Sequence, residues 1–504
     1  MSVVPESSVR STEDSPYVPD KKIEADETSP LFNTSDAYQQ SRPLDSARED
    51  SQGSFDKHVI YFMTIHFLLA FCTIILVAPL IRLFENSLCL KHYGFPSGGV
   101  KESLCKIPDI QGSLATIRGW KSTLDTIPVL VVAIPLGRMA DLWGRRKIFA
   151  LSLIGVMMSL VEIFVVCAFP QIFPLRLVWL SSLFLLCGGG LNAASAYMWA
   201  SASDSIPTER RSYAFYYIFS AFYSAEFVAS FTASVTMSIS PWVPAFLALL
   251  SLTVCLALLW LIPQPTKARS STINFEEDAR GSIKHSLVED LKEAASVTNV
   301  LLAIPVFLVG IFRYTVLDVL IQYAANRFGL KISIGATFYT ETAAINIALF
   351  LFIIPQVTRY LRTKMYVRPL VIDLFLVRTS VILMCLGSLS IGLSPSGKLL
   401  PLGVAIFAAG FGSRVSALSL VSYWIPDDAK ATLYATITVL ESIGHAIGDP
   451  SIQQLFAASL AFPVFWQAMP FFFAASLYFL TIVSTSFIHL DKGSRDAPSD
   501  GYIH

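Results

Sequence analysis

Long apolar stretches separated by short polar segments dominate the chain from Val59 onward. Twelve stretches reach the ~20 residues that an α-helix needs to cross the hydrocarbon core of a membrane. Transmembrane β-strands are about half as long and alternate in polarity, which these stretches do not. The pattern predicts an all-α membrane protein with twelve transmembrane helices, near residues 59–83, 119–137, 147–169, 176–202, 212–237, 241–262, 298–323, 333–356, 370–393, 398–424, 431–459 and 466–488.

Polar segments divide the twelve predicted helices into two sets of six. Residues 1–57 are rich in Ser, Asp, Glu and Pro and contain no apolar run long enough to fold, so they are predicted to form a disordered cytoplasmic tail. The polar linker 263–297 separates a first half, 58–262, from a second half, 298–488, and a short cytoplasmic tail, 489–504, follows. Six plus six helices with one linker is the arrangement of transporters built from two related halves.

Basic residues are concentrated in alternate short loops. They follow predicted helices 2, 4 and 8 and precede helix 11, at Arg138, Arg145, Arg146, Lys147, Arg210, Arg211, Arg359, Arg362, Lys364, Arg368 and Lys430. Because Lys and Arg in short loops stay on the cytoplasmic side, both termini are predicted to be cytoplasmic and the long loop 84–118 to face outside. We expect the plasma membrane; the vacuolar membrane is an alternative because residues 27–32 resemble an acidic dileucine sorting signal.

The composition excludes several classes of protein for the bulk of the chain. Only 15% of the residues are charged, against about 25% in soluble domains, so a soluble enzyme is excluded. Lys plus Arg and Asp plus Glu both number 37, which indicates no nucleic-acid partner. No ATP-binding Gly-rich loop occurs. We expect no enzymatic activity, cofactor or metal; the expected partners are a small-molecule substrate, protons and the lipid bilayer, and the chain is expected to be monomeric.

Cysteines fall into two groups by position. Cys89 and Cys105 share the predicted outer loop, whereas the other five of the seven cysteines lie inside predicted helices, where a free cysteine packs as a small hydrophobic residue. Disulfides form and persist in the oxidising compartment outside the cytosol. We therefore predict a disulfide between Cys89 and Cys105, with two free loop thiols as the alternative.

The loop between predicted helices 2 and 3 carries the sequence Gly137-Arg-Met-Ala-Asp141-Leu-Trp-Gly144-Arg145-Arg146-Lys147. Its spacing, Gly-x-x-x-Asp-x-x-Gly-Arg-Arg-Lys, resembles the loop signature of the major facilitator superfamily. Glycines allow close helix contact and a tight turn, and an aspartate can face a helix N-terminus while an arginine holds its carboxylate. The resemblance implies a cytoplasmic gate made by Gly137, Asp141, Gly144, Arg145 and Arg146. Plain positive-inside charge is the alternative, but it leaves the glycines and Asp141 unexplained.

Further stretches resemble a fungal branch of the same superfamily. They are residues 111–120, 124–128, 204–211, 321–329 and 440–450. The resemblance implies secondary active transport by alternating access. Drug–proton antiport loses support from two departures: Phe184 stands where those members have Arg, and predicted helix 5 contains neither Gly nor Pro.

Ionisable residues inside membrane helices are costly and commonly mark pathways or buried pairs. Here they are Asp125, Glu162, Glu226, Arg313, Asp318, Glu341, Arg378, Arg414, Glu441 and His445. In predicted helix 7, Tyr314, Asp318 and Gln322 recur every four residues and form one polar stripe. The resemblance places this stripe at the substrate cavity. A structural stripe against a neighbouring helix is the alternative.

Asp318 is the first candidate for proton coupling. The second is Glu441 with His445, four residues apart in helix 11, because a His–carboxylate pair can hold a proton near neutral pH. A fixed pair that braces helix 11 against helix 2 is the alternative there. Arg414 in helix 10 suits an anionic substrate group unless it pairs with Glu341 or Asp318.

In predicted helix 4, Asn192 and Trp199 add a polar and aromatic face to the expected cavity. We expect secondary transport coupled to protons, and the Tyr, Trp and Ser side chains of the cavity helices favour efflux of a secondary metabolite or toxic compound. Uptake of a nutrient or organic anion is the alternative among transporters. A membrane sensor that transports nothing is the alternative from another class of protein.

Overall fold

The computed structural model describes residues 57–96, 100–206, 208–261, 298–310, 312–424 and 430–490. All regular elements in these residues are helices, which we number α1 to α12, one for each expected membrane crossing. They are α1 (Lys57–His92), α2 (Pro108–Trp143), α3 (Arg145–Ala168), α4 (Leu175–Cys187 continued by Gly190–Ser205), α5 (Thr208–Met237), α6 (Trp242–Leu261), α7 (Thr298–Phe328), α8 (Ile332–Thr363), α9 (Pro369–Leu393), α10 (Leu400–Ala408 continued by Ser413–Ser422), α11 (Lys430–Ser459) and α12 (Met469–Ser486).

Ten helices in the described residues are long and apolar enough to cross a membrane. The remaining two long helices, α2 and α11, have 36 and 30 residues and pack against each other. The predicted all-α fold with twelve transmembrane helices is confirmed. The predicted and observed helix ends differ most in α1 and α2.

The predicted outer loop 84–118 is largely helical, which corrects the bounds expected from the sequence. α1 continues to His92, a short 3₁₀ helix spans Glu102–Cys105, and α2 begins at Pro108. The apolar pattern stops where polar residues begin, whereas the helices continue because those polar side chains pair with one another. The predicted linker 263–297 and almost all of both predicted tails lie outside the described residues.

A disulfide joins α1 to the 3₁₀ helix. Cys89 and Cys105 are bonded, with their Cα atoms 5.5 Å apart, and both side chains are fully buried. The predicted disulfide is therefore confirmed. We call this end of the helix bundle the disulfide end, and the opposite end, where α2 turns into α3, the Gly144 end.

Two helices are interrupted where glycines permit a close approach of backbones. In α4, a Cβ on Gly188 would collide with the backbone of Ser152 in α3, and Gly189 has a φ of 80°. The hydroxyl of Ser152 donates a hydrogen bond to the carbonyl of Gly188, so this carbonyl is satisfied inside the bundle. In α10 the helix stops at Ala408 and resumes at Ser413. Interrupted helices of this kind commonly lie beside transporter binding sites.

The first six helices contact the last six mainly through two helix pairs, α2 with α11 and α5 with α8. A Cβ on Gly119 of α2 would lie 3.0 Å from the Cβ of Gln453 in α11, so glycine allows this close approach. Between α5 and α8, the hydroxyl of Thr340 donates to that of Ser230 at 2.9 Å. Charged residues of α2, α7 and α11 meet inside the bundle beside the first of these pairs.

Arg378, one of the ionisable residues inside α9, has a structural role. Its guanidinium donates to the carbonyl oxygens of Thr485, Ser486 and Ile488 at 2.9, 3.3 and 3.2 Å. Carbonyls at a helix C-terminus lack intrahelical partners. Arg378 therefore caps α12 and is not available to a substrate.

Candidate substrate and proton site

A cavity of about 400 Å³ lies inside the bundle. One wall is mostly apolar and belongs to α1 and α3, whereas the charged residues come from α2, α7 and α11. The apolar wall includes Leu76, Val77, Leu80, Phe84, Val156, Leu160 and Ile163, and the charged wall includes Arg118, Lys121, Asp125, Asp318, His445 and Asp449. Sites for small molecules combine apolar surface with a few placed polar groups in this way.

Asp318 of α7 forms an ion pair with Arg118 of α2 at this cavity. Nη2 of Arg118 lies 3.4 Å from Oδ2 of Asp318, and the hydroxyl of Tyr339 in α8 donates to Oδ1 at 2.5 Å. The other terminal nitrogen of Arg118 is buried and has no hydrogen-bond partner in the described part of the chain. A single, rather long contact therefore joins the first six helices to the last six here.

Asp449 of α11 accepts hydrogen bonds from two other helices. The donors are the hydroxyls of Ser122 in α2, at 2.5 Å, and Thr315 in α7. Nδ1 of His445, one helical turn away, lies 2.7 Å from the same carboxylate. Asp449 is buried, whereas about half of the His445 side chain is exposed. Asp449 thus connects α2, α7 and α11 in the charged wall.

Lys121 and Asp125 form a second ion pair in the charged wall. Nζ of Lys121 lies 2.6 Å from both carboxylate oxygens of Asp125, and the hydroxyl of Ser182 in α4 donates to Asp125 at 2.5 Å. All three residues belong to the first six helices. This pair therefore does not connect the two sets of six.

Arg414 pairs with Glu441, and not with Glu341 or Asp318, the partners considered from the sequence. Nε and Nη2 of Arg414 lie 2.5 and 2.8 Å from the two carboxylate oxygens of Glu441. This bidentate contact is the strong form of an Arg–carboxylate pair. It joins α10 to α11, both of which belong to the last six helices. Arg414 is therefore not the unpaired cation that an anionic substrate group requires.

Glu441 and His445 do not form the pair that their spacing suggested. Glu441 binds Arg414, and His445 binds Asp449. Residues four apart share one face of a helix, so spacing alone fits 441 with 445 and 445 with 449 equally well. The brace between α11 and α2 exists, but it runs through Asp449 and Ser122.

The other cavity residues predicted from the sequence do not line this cavity. Tyr314 packs edge-on against a phenylalanine of α10, and Trp199 packs edge-on against a histidine of α1. Gln322 is buried, and its amide has no hydrogen-bond partner among the described residues. Asn192 is exposed. Of the three residues in the polar stripe on α7, Asp318 alone lines the cavity. The side chains of Tyr314 and Gln322 are packed between helices instead.

The motif between α2 and α3 makes a tight turn. Gly144 is the single residue between the two helices and has a φ of 93°, a conformation that favours glycine. Arg145 donates to the carbonyl of Ala200 in α4 at 3.0 Å, and the guanidinium of Arg146 lies 4.8 Å from the ring centre of Trp260 in α6. Both arginines thus contact other helices of the first six.

Among the described residues, Gly137 makes no close helix contact, because a Cβ added there would meet nothing within 4 Å. The side chain of Asp141 lies outside the described part of the structure. The described hydrogen bonds between α2 and α11 start from Thr116, Ser122 and Thr123, in the half of α2 nearer the disulfide end. The two sets of six are therefore joined at the disulfide end of this helix pair.

Sequence reasoning missed Arg118 and Asp449 as site residues. Predicted helix 2 begins at residue 119, which puts Arg118 outside the membrane, whereas α2 begins well before it. Asp449 was noted only within the stretch 440–450 that resembles the fungal branch, and it was not considered as a site residue. A signal was available for both: Arg118 lies one helical turn before Ser122 on the same face of α2, and Asp449 lies one turn after His445 on α11.

A family model described as Major Facilitator Superfamily matches residues 63–377 of the chain. The protein named MFS efflux pump atnC, from Emericella nidulans, is 27% identical over 416 residues, which cover 79% of this chain and 81% of that protein. Efflux pump ustT, from Aspergillus flavus, is 27% identical over 399 residues, which cover 75% of this chain and 78% of that protein.

Solved transporter structures have the same fold. A D-xylose-proton symporter superposes with a TM-score of 0.62 at 14% identity and covers 86% of this chain and 98% of its own. A POT family transporter in complex with 5-aminolevulinic acid gives a TM-score of 0.58 at 15% identity, with 86% and 95% covered. At such low identity the likeness establishes the fold alone.

Proposed function

The chain belongs to the Major Facilitator Superfamily, and on that premise we propose that it exports a secondary metabolite or toxic compound by proton-coupled alternating access. Membership of this superfamily makes the chain a transporter of small molecules and not an enzyme. Export is supported by the names of two relatives, both called efflux pumps. Coupling to protons is supported by the geometry of the charged wall.

We place the disulfide end outside the cytoplasm and the Gly144 end inside. The basic residues Arg145, Arg146 and Lys147 at the Gly144 end support this orientation, as does a disulfide at the other end. Both termini are then cytoplasmic. The plasma membrane is our proposal for the location, with the vacuolar membrane as the alternative.

The observation that carries the proposal is the ion pair between Arg118 and Asp318. It connects α2 of the first six helices to α7 of the last six, at the cavity and towards the disulfide end. Opening the disulfide end separates these two helices and therefore breaks the pair. A membrane-embedded carboxylate without its cation is unfavourable, and a proton is the smallest partner that can neutralise it.

This exchange of partners gives a transport cycle. When the cavity opens outward, Asp318 loses Arg118 and takes a proton from outside. When the helices close again, Arg118 returns to Asp318 and the proton leaves towards the cytoplasm. Tyr339 keeps its hydrogen bond to Asp318 throughout, because both residues belong to the last six helices. A proton therefore moves inward as a solute molecule moves outward.

The two walls of the cavity indicate the kind of solute. An apolar body fits the aliphatic side chains of α1 and α3, and hydrogen-bonding groups fit the charged residues of α2, α7 and α11. We therefore expect an amphipathic organic molecule. A sugar, with polar groups on all sides, would leave the apolar wall without a matching surface.

The motif Gly137, Asp141, Gly144, Arg145 and Arg146 is our proposed cytoplasmic gate. In the present conformation no described residue makes a close contact with Gly137, which supports a gate that is open at this end. The moving bodies of the cycle are residues 58–262 and 298–488, connected by the linker 263–297. The gate closes when the disulfide end opens.

The test begins with untargeted metabolite profiling. Metabolite levels inside and outside cells are compared between cells that contain the protein and cells that lack it, which identifies an exported solute. Proteoliposomes then measure uphill transport of that solute driven by a pH gradient, and exchange of the solute without a gradient. Asp318→Asn is expected to lower uphill transport by about tenfold or more and to preserve exchange, because an amide cannot take up and release the proton of the cycle.

Asp373→Asn is the matched control, because Asp373 is a half-buried carboxylate of α9 that accepts a hydrogen bond from Ser419 within the last six helices. It is expected to keep uphill transport. If uphill transport survives in Asp318→Asn but fails in Glu441→Gln, the proton site belongs to α11. If no solute crosses the membrane with the parent protein, the sensor alternative replaces the proposal.

Uptake of an organic anion is a weaker candidate. It depended on an unpaired Arg414, and Arg414 has a bidentate partner in Glu441. A nutrient importer would also need the solute to follow the proton inward. The direction of the metabolite change in the first experiment separates uptake from export.

A further inference from the structure

The 3₁₀ helix next to the disulfide contacts the other set of six helices. Oε1 of Glu102 lies 3.0 Å from the backbone nitrogen of Ile332, the first residue of α8, and accepts its hydrogen bond. Glu102 belongs to the segment between α1 and α2, and α8 belongs to the last six helices. The contact therefore spans the two halves at the disulfide end, away from the cavity residues.

The N-terminus of α8 needs such an acceptor. The first backbone N–H groups of a helix have no intrahelical partner, and the residue at the N-cap position, Lys331, provides no side-chain hydrogen bond. A carboxylate at this position is also favoured by the helix dipole. Glu102 thus caps the N-terminus of α8, a helix of the other half whose own N-cap residue supplies no side-chain hydrogen bond.

Glu102 is held in place by basic residues of its own half. Nζ of Lys106 lies 3.3 Å from its carboxylate, and Nε of Arg82 in α1 lies 3.7 Å from it. The same two bases contact Glu85, which is fully buried, at 2.5 and 2.8 Å, and Gln111 donates to Glu85 at 2.6 Å. This network holds the carboxylate of Glu102 in position to contact the N-terminus of α8.

The disulfide fixes the position of the segment that carries Glu102. Cys105 is the last residue of the 3₁₀ helix and is bonded to Cys89 in α1. Without the bond, the described residues between His92 and Pro108 are attached to the bundle through polar contacts and a small buried cluster around Cys89, Cys105 and Ile110.

We propose that Glu102 is the outer-gate residue of the transport cycle and that the Cys89–Cys105 disulfide positions it. The proposal rests on the alternating-access part of the proposed function and adds a residue outside the cavity. When the disulfide end opens, Glu102 leaves Ile332, and water then reaches both hydrogen-bonding groups. Opening is therefore reversible, and the contact sets how often the outer side opens.

The test measures access to the cavity from outside. A reporter cysteine replaces Val77, which lines the apolar wall, in full-length protein whose five free cysteines are replaced by serine. Intact cells are treated with a membrane-impermeant maleimide, and the labelling rate is measured. Glu102→Ala is expected to raise the rate about tenfold, since it removes a hydrogen bond to a charged group. Glu102→Gln, which removes only the charge, is expected to raise it about threefold.

Lys101→Ala is the matched control, because the Lys101 side chain is exposed on the same segment. Its labelling rate is expected to equal that of the parent. A parent-like rate in Glu102→Ala overturns the proposal. Labelling requires neither a solute nor a pH gradient, so a raised rate in Glu102→Ala supports the gate even if the parent protein exports nothing, and that second result rejects only the proposed function.

The role of the disulfide is tested by combining variants. Cys89→Ser with Cys105→Ser is expected to raise the labelling rate as Glu102→Ala does, and the triple variant is expected to give no further increase, because residues that act through one contact are not additive. Cells whose protein lacks the reporter cysteine are treated in the same way, as a control for entry of the impermeant reagent and for labelling at other sites. Additive increases in the triple variant overturn the positioning role of the disulfide.

Discussion

Two ion pairs in the membrane differ in what they join and how tightly. Arg118–Asp318 connects the two sets of six helices through one contact of 3.4 Å. Arg414–Glu441 connects two helices of the same set through two contacts of 2.5 and 2.8 Å. Bidentate pairs are both stronger and more specific in geometry than single contacts. The tighter pair thus lies where the helices need not separate.

Exposure does not explain the difference, because the side chains of Asp318 and Arg414 are 33% and 37% exposed. The difference between the two pairs follows instead from their positions relative to the two sets of six helices. A pair that opens in every cycle must be weak enough to break, whereas a pair inside one half can be strong without slowing transport. In the proposed cycle, the helices that a charge pair connects therefore decide whether the pair takes part in coupling or only stabilises the structure.

The largest effect that separates the two pairs is expected for Arg118→Gln. Without Arg118, nothing displaces the proton from Asp318, so pH-driven uphill export is expected to fall by about tenfold or more. Exchange of the solute without a gradient is expected to persist. The measurement is transport into proteoliposomes under both conditions. Arg176→Gln, which changes an exposed arginine of α4, serves as the control; equal export in both variants contradicts the coupling role of Arg118.

Glu441→Gln is expected to act on stability instead. Removing one partner of a buried pair costs about 3–5 kcal/mol. Because the side chain of Arg414 is 37% exposed, we expect a smaller loss of about 1–3 kcal/mol here. The apparent Tm in detergent should fall by a few degrees, while the protein that remains folded keeps uphill export. Glu341→Gln, at a half-buried carboxylate of α8, is the control for charge removal. Lost coupling at an unchanged Tm would assign Glu441 to the proton pathway.

Ser122→Ala is expected to have the smallest effect. It removes one hydroxyl donor between α2 and Asp449 and leaves Thr315 and His445 in place. Because the carboxylate keeps two other hydrogen-bond partners, the loss should be small, and the transport rate should change about two- to tenfold with coupling preserved. The initial rate of export measures it. Thr126→Ala, whose hydroxyl bonds only to a carbonyl of its own helix, should leave the rate unchanged.

Much of the fold could be predicted because it depends on local properties of the chain. A stretch of ~20 apolar residues has to form a helix in a membrane, since every backbone polar group must be satisfied within the segment. The number of crossings therefore followed from the sequence, as did the disulfide, because Cys89 and Cys105 share one loop. The ends of α1 and α2 could not be read in this way, since their polar extensions are stabilised by pairing around Glu85.

The candidate site was predictable only in part. Asp318 was singled out because a carboxylate inside a membrane helix is costly and commonly marks a pathway or a buried pair. Arg118 was missed because the apolar pattern begins after it, and the predicted helix therefore starts one residue too late to include it. The polar stripe on α7 was read correctly as a helix face, yet Gln322 faces a helix contact and not the cavity.

The sequence by itself determined the helices, their number, the disulfide and the family motif around Gly144, because each depends on neighbours along the chain. Only the tertiary structure decided which charges meet. Helix geometry fixes partners within one helix, such as Lys121 with Asp125, but a pair such as Arg118 with Asp318 depends on the depth and rotation of two helices. The depth and rotation of a helix are set by packing over its whole faces. The spacing of residues along one helix carries no information about that packing.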